Sequence, residues 1–383
     1  MSLQFITGGS GAGKSEYLSR LVCEESVRRP HDNFIVVVPE QYTMETQKKL
    51  VHMHSRKGIL NIDVVSFERL AYKVFEELGG GNRPVLDDTG KNLIVRRVLE
   101  KEKKKLDYFG SSIEKTGFVS ELKSVISELL QYGITPQQLG EIGENVKEKQ
   151  QLSAKLKDIR LVYKEFMAFL STNYITSEEI LDVLCGLVEK SKLIAGSEII
   201  FDGFTGFTPI QYKLMRLLLV YSKGIKISVT IDKKERPTGH EGWNNLFFMS
   251  KEMMNRLIAI CEEEGINVDD TVCVDRDINY RYEGAKDLAY LERNLFRYKG
   301  GVYTGTPENI RIYEGSNPKE ELQYIVSEIL QLTRKEGFRY RDIAVVTADL
   351  ETYGKVAANM MKQNDIPAFL DYKRSVAANP YVE

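Results

Sequence analysis

The chain has 383 residues, 42% hydrophobic and 28% charged, with a net charge of −2; this describes roughly two to three ordinary globular domains and excludes a protein-wide surface for nucleic acid, so any such contact has to be a local face. Cys23, Cys185, Cys261 and Cys273 lie far apart without C-x-x-C spacing, which argues against a zinc site or a disulfide framework and for buried thiols in a reducing cytoplasm. The longest aliphatic run, LMRLLLVY, is short and carries Arg216, so neither a membrane span nor a secretion signal is expected.

The first 70 residues alternate strand and helix. LQFIT reads as a strand that breaks into Gly8-Gly9-Ser10-Gly11-Ala12-Gly13-Lys14-Ser15, followed by a helix to about Arg28. The spacing Gly8-x-x-x-x-Gly13-Lys14-Ser15 is that of a phosphate loop, in which backbone N–H groups face phosphate oxygens. Lys14 reaches the β- and γ-phosphates, Ser15 ligates Mg²⁺ and the helix N-terminus faces the anion. The alternative is a flexible glycine turn, and the strand before it and helix after it favour nucleotide. NFIVVVP is a second strand ending at Pro39, METQKKLVHM a helix, NIDVVS a third strand and FERLAYKVFEEL a helix. Continuous rather than alternating apolar runs suit a parallel sheet covered on both faces, hence an α/β fold. His52-x-His54 reads as a solvated pair rather than a metal pair, and GGGNRP at 79–84 punctuates the chain.

From about 88 to 194 the chain turns to long amphipathic helices, among them TGKNLIVRRVLEKEKKKL and SAKLKDIRLVYKEFMAFLSTNY. Strands return with SEIIFDG and GIKISVTID around the helix PIQYKLMRLLLVYS. A helical block inside a strand–helix series predicts a discontinuous domain of residues 1–84 and 195–298 whose strands share one sheet, with 85–194 as an insertion. After the loop KKERPTGHEGWNN, another helix and the strand VDDTVCVD, the stretch YKGGVYTGTPENI reads as a linker. Residues 299–383 open a new series of strands (NIRIYEGS, DIAVVTAD, IPAFLD) and helices (PKEELQYIVSEILQLTRKEG, YGKVAANMMKQN). The chain stops at NPYVE without a terminating element, which reads as a fragment.

A phosphate-loop nucleotidase also needs an acid after a neighbouring strand to hold Mg²⁺, with a glutamate to orient the attacking water. EIIFDGFTGF supplies Asp202, but position 203 is glycine, so no residue is assigned a catalytic role. No Asn-Lys-x-Asp for guanine is present, and DDTG at 87–90 follows a loop rather than a strand. A compact small-molecule kinase is equally unlike a chain with a large helical insertion.

FITGGSGAGKS, VVVPEQYTMETQ, VVSFERLAYKVFEELGG, IIFDGFTGFTPIQY and YRDIAVVTADLETYGKVAANMMKQNDIPAFLD together resemble the N-terminal third of AddB/RexB, the B subunit of the bacterial ATP-dependent helicase/nuclease. The resemblance runs from residue 3 to the end and is weakest across the helical insertion. It implies a RecA-like domain of superfamily 1 helicase type, split by the insertion and followed by the start of a second RecA-like domain. It further implies a heterodimer with a motor A subunit, acting on double-strand DNA ends. The helicase-like region of AddB/RexB is implied to bind ATP and Mg²⁺ and to scan single-stranded DNA for the Chi sequence. A nuclease with an iron–sulfur cluster is implied beyond residue 383. Gly203 in place of glutamate, VTIDKKE without a glutamine after Asp232, and Ala348 where related helicases often keep arginine agree with decayed motor motifs.

The resemblance also implies DNA contacts at Gln41, Thr43, Ser66, Phe67, Arg69 and Tyr72, with Phe204 and Phe207 near the Asp202 loop. Gln and Arg can read base edges, and Phe67 and Tyr72 offer stacking platforms; an ordinary buried helix face fits Phe67, Leu70 and Tyr72 as well. The basic run RRVLEKEKKK reads as a solvated helix face, with a phosphate grip as the alternative.

Overall fold

In the computed structural model, which describes residues 1–79, 84–115, 117–146, 149–176, 179–235, 242–297 and 301–370, the continuous apolar runs become strands. β1 (Ser2–Gly8) leads into α1 (Lys14–Arg28), β2 (Asn33–Val37) into α2 (Thr43–Met53), and β3 (Ile62–Val65) into α3 (Phe67–Leu78). The insertion follows: β4 (Val85–Leu86), α4 (Asp88–Glu102), α5 (Phe118–Gln131), α6 (Pro136–Asn145), α7 (Gln150–Asn173), β5 (Ile175–Thr176), α8 (Ile180–Cys185) and α9 (Lys192–Ala195). The sheet then resumes with β6 (Ser197–Phe201), α10 (Pro209–Tyr221), β7 (Gly224–Thr230), α11 (Phe248–Glu264), β8 (Asn267–Val268), β9 (Val272–Cys273) and α12 (Lys286–Asn294). α13 (Pro318–Lys335) and α14 (Leu350–Gln363) complete the described elements.

The strand order is β3-β2-β6-β7-β1-β8, with β9 also on β1, and every pairing is parallel. Strands from both sides of the insertion therefore share one sheet: β6 lies in register with β2 (Val37 opposite Phe201) and β7 with β1 (Phe5 opposite Ile227). Successive side chains point to opposite faces, so Phe5, Ile35 and Phe201 join one core under α3, α8, α10 and α11, while Ile6, Val36 and Ile200 join a second with Leu18 and Val22 of α1 and Leu50 of α2.

The insertion has its own core around Val95, Leu99, Ile126, Val162 and Phe166. Its two ends are tied together by the short β4–β5 pairing and by Glu77 at the end of α3. The Glu77 carboxylate accepts from the Ser191 hydroxyl at 2.6 Å and from the Lys192 N–H at 2.8 Å, capping α9. Within the insertion, the buried Asp158 of α7 accepts three backbone N–H groups, those of Asp107 (3.1 Å), Tyr108 (2.8 Å) and Phe109 (2.9 Å). The basic run is largely neutralised as a solvated face, through Arg96–Glu100, Lys101–Glu165, Lys103–Glu114 and Lys105–Glu102.

The chain divides into two compact units, Met1–Gly301 and Val302–Glu383. In the second, α13 and α14 form as expected and share a small core of Leu322, Val326, Ala357 and Met361, and Asn317 caps α13 just ahead of Pro318. The three strands expected there do not form among the described residues. An extended apolar segment becomes a strand only by pairing, and these segments instead leave Ile312, Val346 and Phe369 over 90% exposed. NPYVE and most of GGGNRP lie outside the described residues.

Two smaller expectations are corrected. His54 is buried rather than solvated, because its Nε2 meets Ser26 Oγ at 3.2 Å and its Nδ1 accepts the Arg56 N–H. Of the four thiols, Cys273 is exposed while the others are buried. Among the described residues no cluster of three metal-ligating side chains occurs, and no helix is long and apolar enough to cross a membrane.

Candidate nucleotide-binding site

Loops following parallel strands collect at one edge of the sheet, which is where open α/β sheets bind ligands. At this edge β1 ends in the glycine-rich turn and α1 begins at Lys14, with Gly13 as its N-cap. Gly11 has φ +73, and a Cβ there would come within 2.5 Å of Arg281 Cβ, so only glycine fits. The Lys14 ammonium lies along the turn, donating to the carbonyls of Gly8 and Gly9 at 2.9 Å each. Burial holds its pKa below the ordinary lysine range; the charges of Asp202 and Asp275 pull it up and that of Arg281 pushes it further down.

Across a cleft of about 390 Å³, Asp202 follows β6, its backbone N–H held by the Val37 carbonyl at 3.1 Å. Ser228 Oγ of β7 donates to Asp202 Oδ1 at 2.5 Å and accepts the Gly203 N–H at 3.3 Å. Gly203 has φ +84, and a Cβ on it would touch Pro39 Cδ at 3.4 Å. Ser10, Gly11, Gly13, Lys14, Ser15 and Asp202 thus share one cleft, while Gly8, Gly9 and Ala12 are in the base of the turn, with Ala12 buried. An ammonium, a hydroxyl and a carboxylate there face the first N–H groups of α1, which have no intrahelical partner. That donor set fits a Mg²⁺–nucleoside polyphosphate.

The turn Asn279–Tyr282 belongs to this site although nothing in the sequence pattern singled it out. Asn279 is buried and donates from Nδ2 to Ser10 O at 3.3 Å, the Arg281 N–H reaches Gly11 O at 3.3 Å, and Tyr280 lies 3.4 Å from the position a Gly13 Cβ would take. These contacts join distant parts of the chain, as the 269-residue separation of Asn279 from Ser10 illustrates, and such a long-range juxtaposition leaves no local periodicity to read.

The residues expected to face DNA divide into two groups. Gln41, in the turn after β2, and Arg69 and Tyr72, on the first turns of α3, are exposed; Arg69 Nε pairs with Glu40 at 3.0 Å. Thr43 and Ser66 are buried, the first donating to Glu40 O at 2.9 Å and the second capping α3. Phe67 is only 8% exposed and meets Phe201, Phe204 and Phe207 at centroid distances of 5.7, 5.3 and 6.1 Å. Its ring is packed as a core ring in this structure, with Phe204 and Phe207 against the same core.

Residues 5–292 match a family profile described as ADDB, N-terminal. The chain belongs to the AddB N-terminal family. Proteins named as the B subunit of an ATP-dependent helicase/deoxyribonuclease match over the whole chain: that of Lachnoclostridium phytofermentans is 42% identical, that of Caldanaerobacter subterraneus 35% and that of Clostridium perfringens 31%. The chain covers 34%, 33% and 33% of these proteins respectively. This AddB region therefore spans about a third of the length of the curated relatives it matches, and the profile takes in both the phosphate-loop turn and the Asn279–Tyr282 turn.

Proposed function

We propose that the chain is the N-terminal, helicase-like region of one subunit of a DNA-break-processing helicase/nuclease. It binds Mg²⁺–ATP and single-stranded DNA, and scans for the Chi recognition sequence rather than serving as the motor. The observation that carries this reading is a complete phosphate loop facing Asp202 with glycine where a water-orienting carboxylate would stand. Lys14 would neutralise the β- and γ-phosphates, Ser15 and Asp202 would hold Mg²⁺, and Arg281, exposed at the rim and near Ser10, adds a second cation. Magnesium supplies charge neutralisation between the phosphates. Missing a general base removes roughly 10²- to 10⁴-fold of rate, so single-turnover ATP hydrolysis by the chain, with or without single-stranded DNA, is expected to be slow. Turnover at helicase-like rates would instead establish an active DNA-dependent ATPase of superfamily 1. The names of the relatives support a heterodimer with an A subunit, which co-purification of the full-length protein tests.

Recognition of a DNA sequence requires contacts to base edges, because phosphate contacts carry no sequence information. Gln41 and Arg69 are the exposed amide and guanidinium at the strand ends, and each such contact discriminates by about 1–3 kcal/mol. Gln41→Ala or Arg69→Ala in the complete complex is expected to relax or abolish recognition-dependent DNA fragments while leaving end binding and unwinding intact. Wild-type fragment frequencies in both variants would move the scanning site elsewhere.

A further inference from the structure

We propose that Ser228 is the positioning residue that presents Asp202 to the magnesium ion; the inference rests on the nucleotide reading of the cleft. Ser228 sits on β7, is 4% exposed, and touches both residues that follow β6. A hydroxyl has one proton and two lone pairs. Accepting the Gly203 N–H occupies a lone pair, and the single proton is committed to Asp202 Oδ1 at 2.5 Å. That bond fixes the carboxylate plane and leaves Oδ2 as the oxygen for the cleft.

The competing partner is close: the Asp202 charge already acts on Lys14 across the cleft. Without the Ser228 hydroxyl the carboxylate is free to rotate toward the ammonium, which would withdraw a metal ligand and a phosphate ligand together. The strand is suited to the task because β7 is hydrogen-bonded to both β6 and β1, which end in Asp202 and in the phosphate loop. Ser228 pairs in register with Ile6, two residues before the loop begins.

The test is binding of a fluorescent ATP analogue to the purified full-length chain, titrated with Mg²⁺ and repeated in EDTA. Partners that orient a metal ligand typically contribute roughly ten- to a hundredfold in metal affinity. Ser228→Ala is therefore expected to raise the Mg²⁺ concentration for half-maximal binding about ten- to a hundredfold, with binding in EDTA and the melting temperature unchanged. Ser228→Cys keeps a similar side-chain volume but has only a weak donor; it is expected to show the same shift, and it carries the test if the alanine variant does not fold. An unchanged Mg²⁺ requirement, or an equal loss with and without Mg²⁺, overturns the proposal, the latter marking a purely structural role. If wild type binds no nucleotide under either condition, the reading of the cleft fails and the inference with it. Binding that Lys14→Ala removes and Ser228→Ala leaves alone sinks the inference only.

Discussion

Replacing Lys14 by alanine is expected to abolish Mg²⁺–nucleotide binding by this chain. Truncating one partner of a desolvated, hydrogen-bonded charge pair costs about 2–5 kcal/mol, or roughly thirty- to several-thousand-fold in affinity. Lys14 is half of such a pair once phosphate arrives: it is partly buried and anchored by the Gly8 and Gly9 carbonyls. Burial already disfavours its charge, with Asp202 and Asp275 offsetting part of the effect, so a polyphosphate would find a poorly solvated cation. Calorimetric titration with Mg²⁺–ATP reads the loss directly, and the ligand-induced rise in melting temperature should vanish in parallel. Equal affinity in wild type and variant would reduce the glycine-rich segment to a structural turn. Unwinding by the complete complex should change little, because the proposed motor lies in its partner; a large loss of unwinding would contradict that assignment.

Asp158→Ala is expected to produce the largest loss of stability. The carboxylate is 1% exposed and closes the loop after α4 by accepting three consecutive N–H groups. Hydrogen bonds to a charged group contribute about 1.5–3 kcal/mol each, and a donor left unpaired in the interior adds its desolvation penalty. With non-additivity, roughly 3–5 kcal/mol is expected, enough to melt the insertion at moderate temperature. Asp158→Asn keeps one acceptor oxygen and should fall in between. Hydrogen exchange at Asp107, Tyr108 and Phe109 localises the effect, and unchanged protection in the alanine variant would show that packing of Phe109 alone holds the loop.

The elements most legible in the sequence were those with local physical signals. NFIVV could be read as a strand because it is β-branched and buried at four of its five positions. FERLAYKVFEEL was bounded by a serine cap and a following glycine at φ +71, the usual start and stop of a helix. The return of strands after the insertion was legible too, and the Val37–Phe201 register realises the expected shared sheet. What escaped depends on distant neighbours. NIRIYEGS and DIAVVTAD carry strand composition, but composition cannot supply the pairing edge. Asn279 and Arg281 meet the phosphate loop only through the fold. Phe67 had two readings, and the ring cluster around it is consistent with the buried helix face.

The left-handed turn at Gly203 makes the absent carboxylate a matter of history as well as chemistry. A side chain in that conformation costs roughly 1–2 kcal/mol, and this one would also press on Pro39. Glutamate is one base change from some glycine codons, yet the backbone that would aim it is not present. Regaining a hydrolytic base here would require re-laying the turn, with Pro39 and the Ser228 bond to Gly203 changing as well. Each partial step along that route would be penalised before any turnover was gained, so the turn works as a ratchet against reversion.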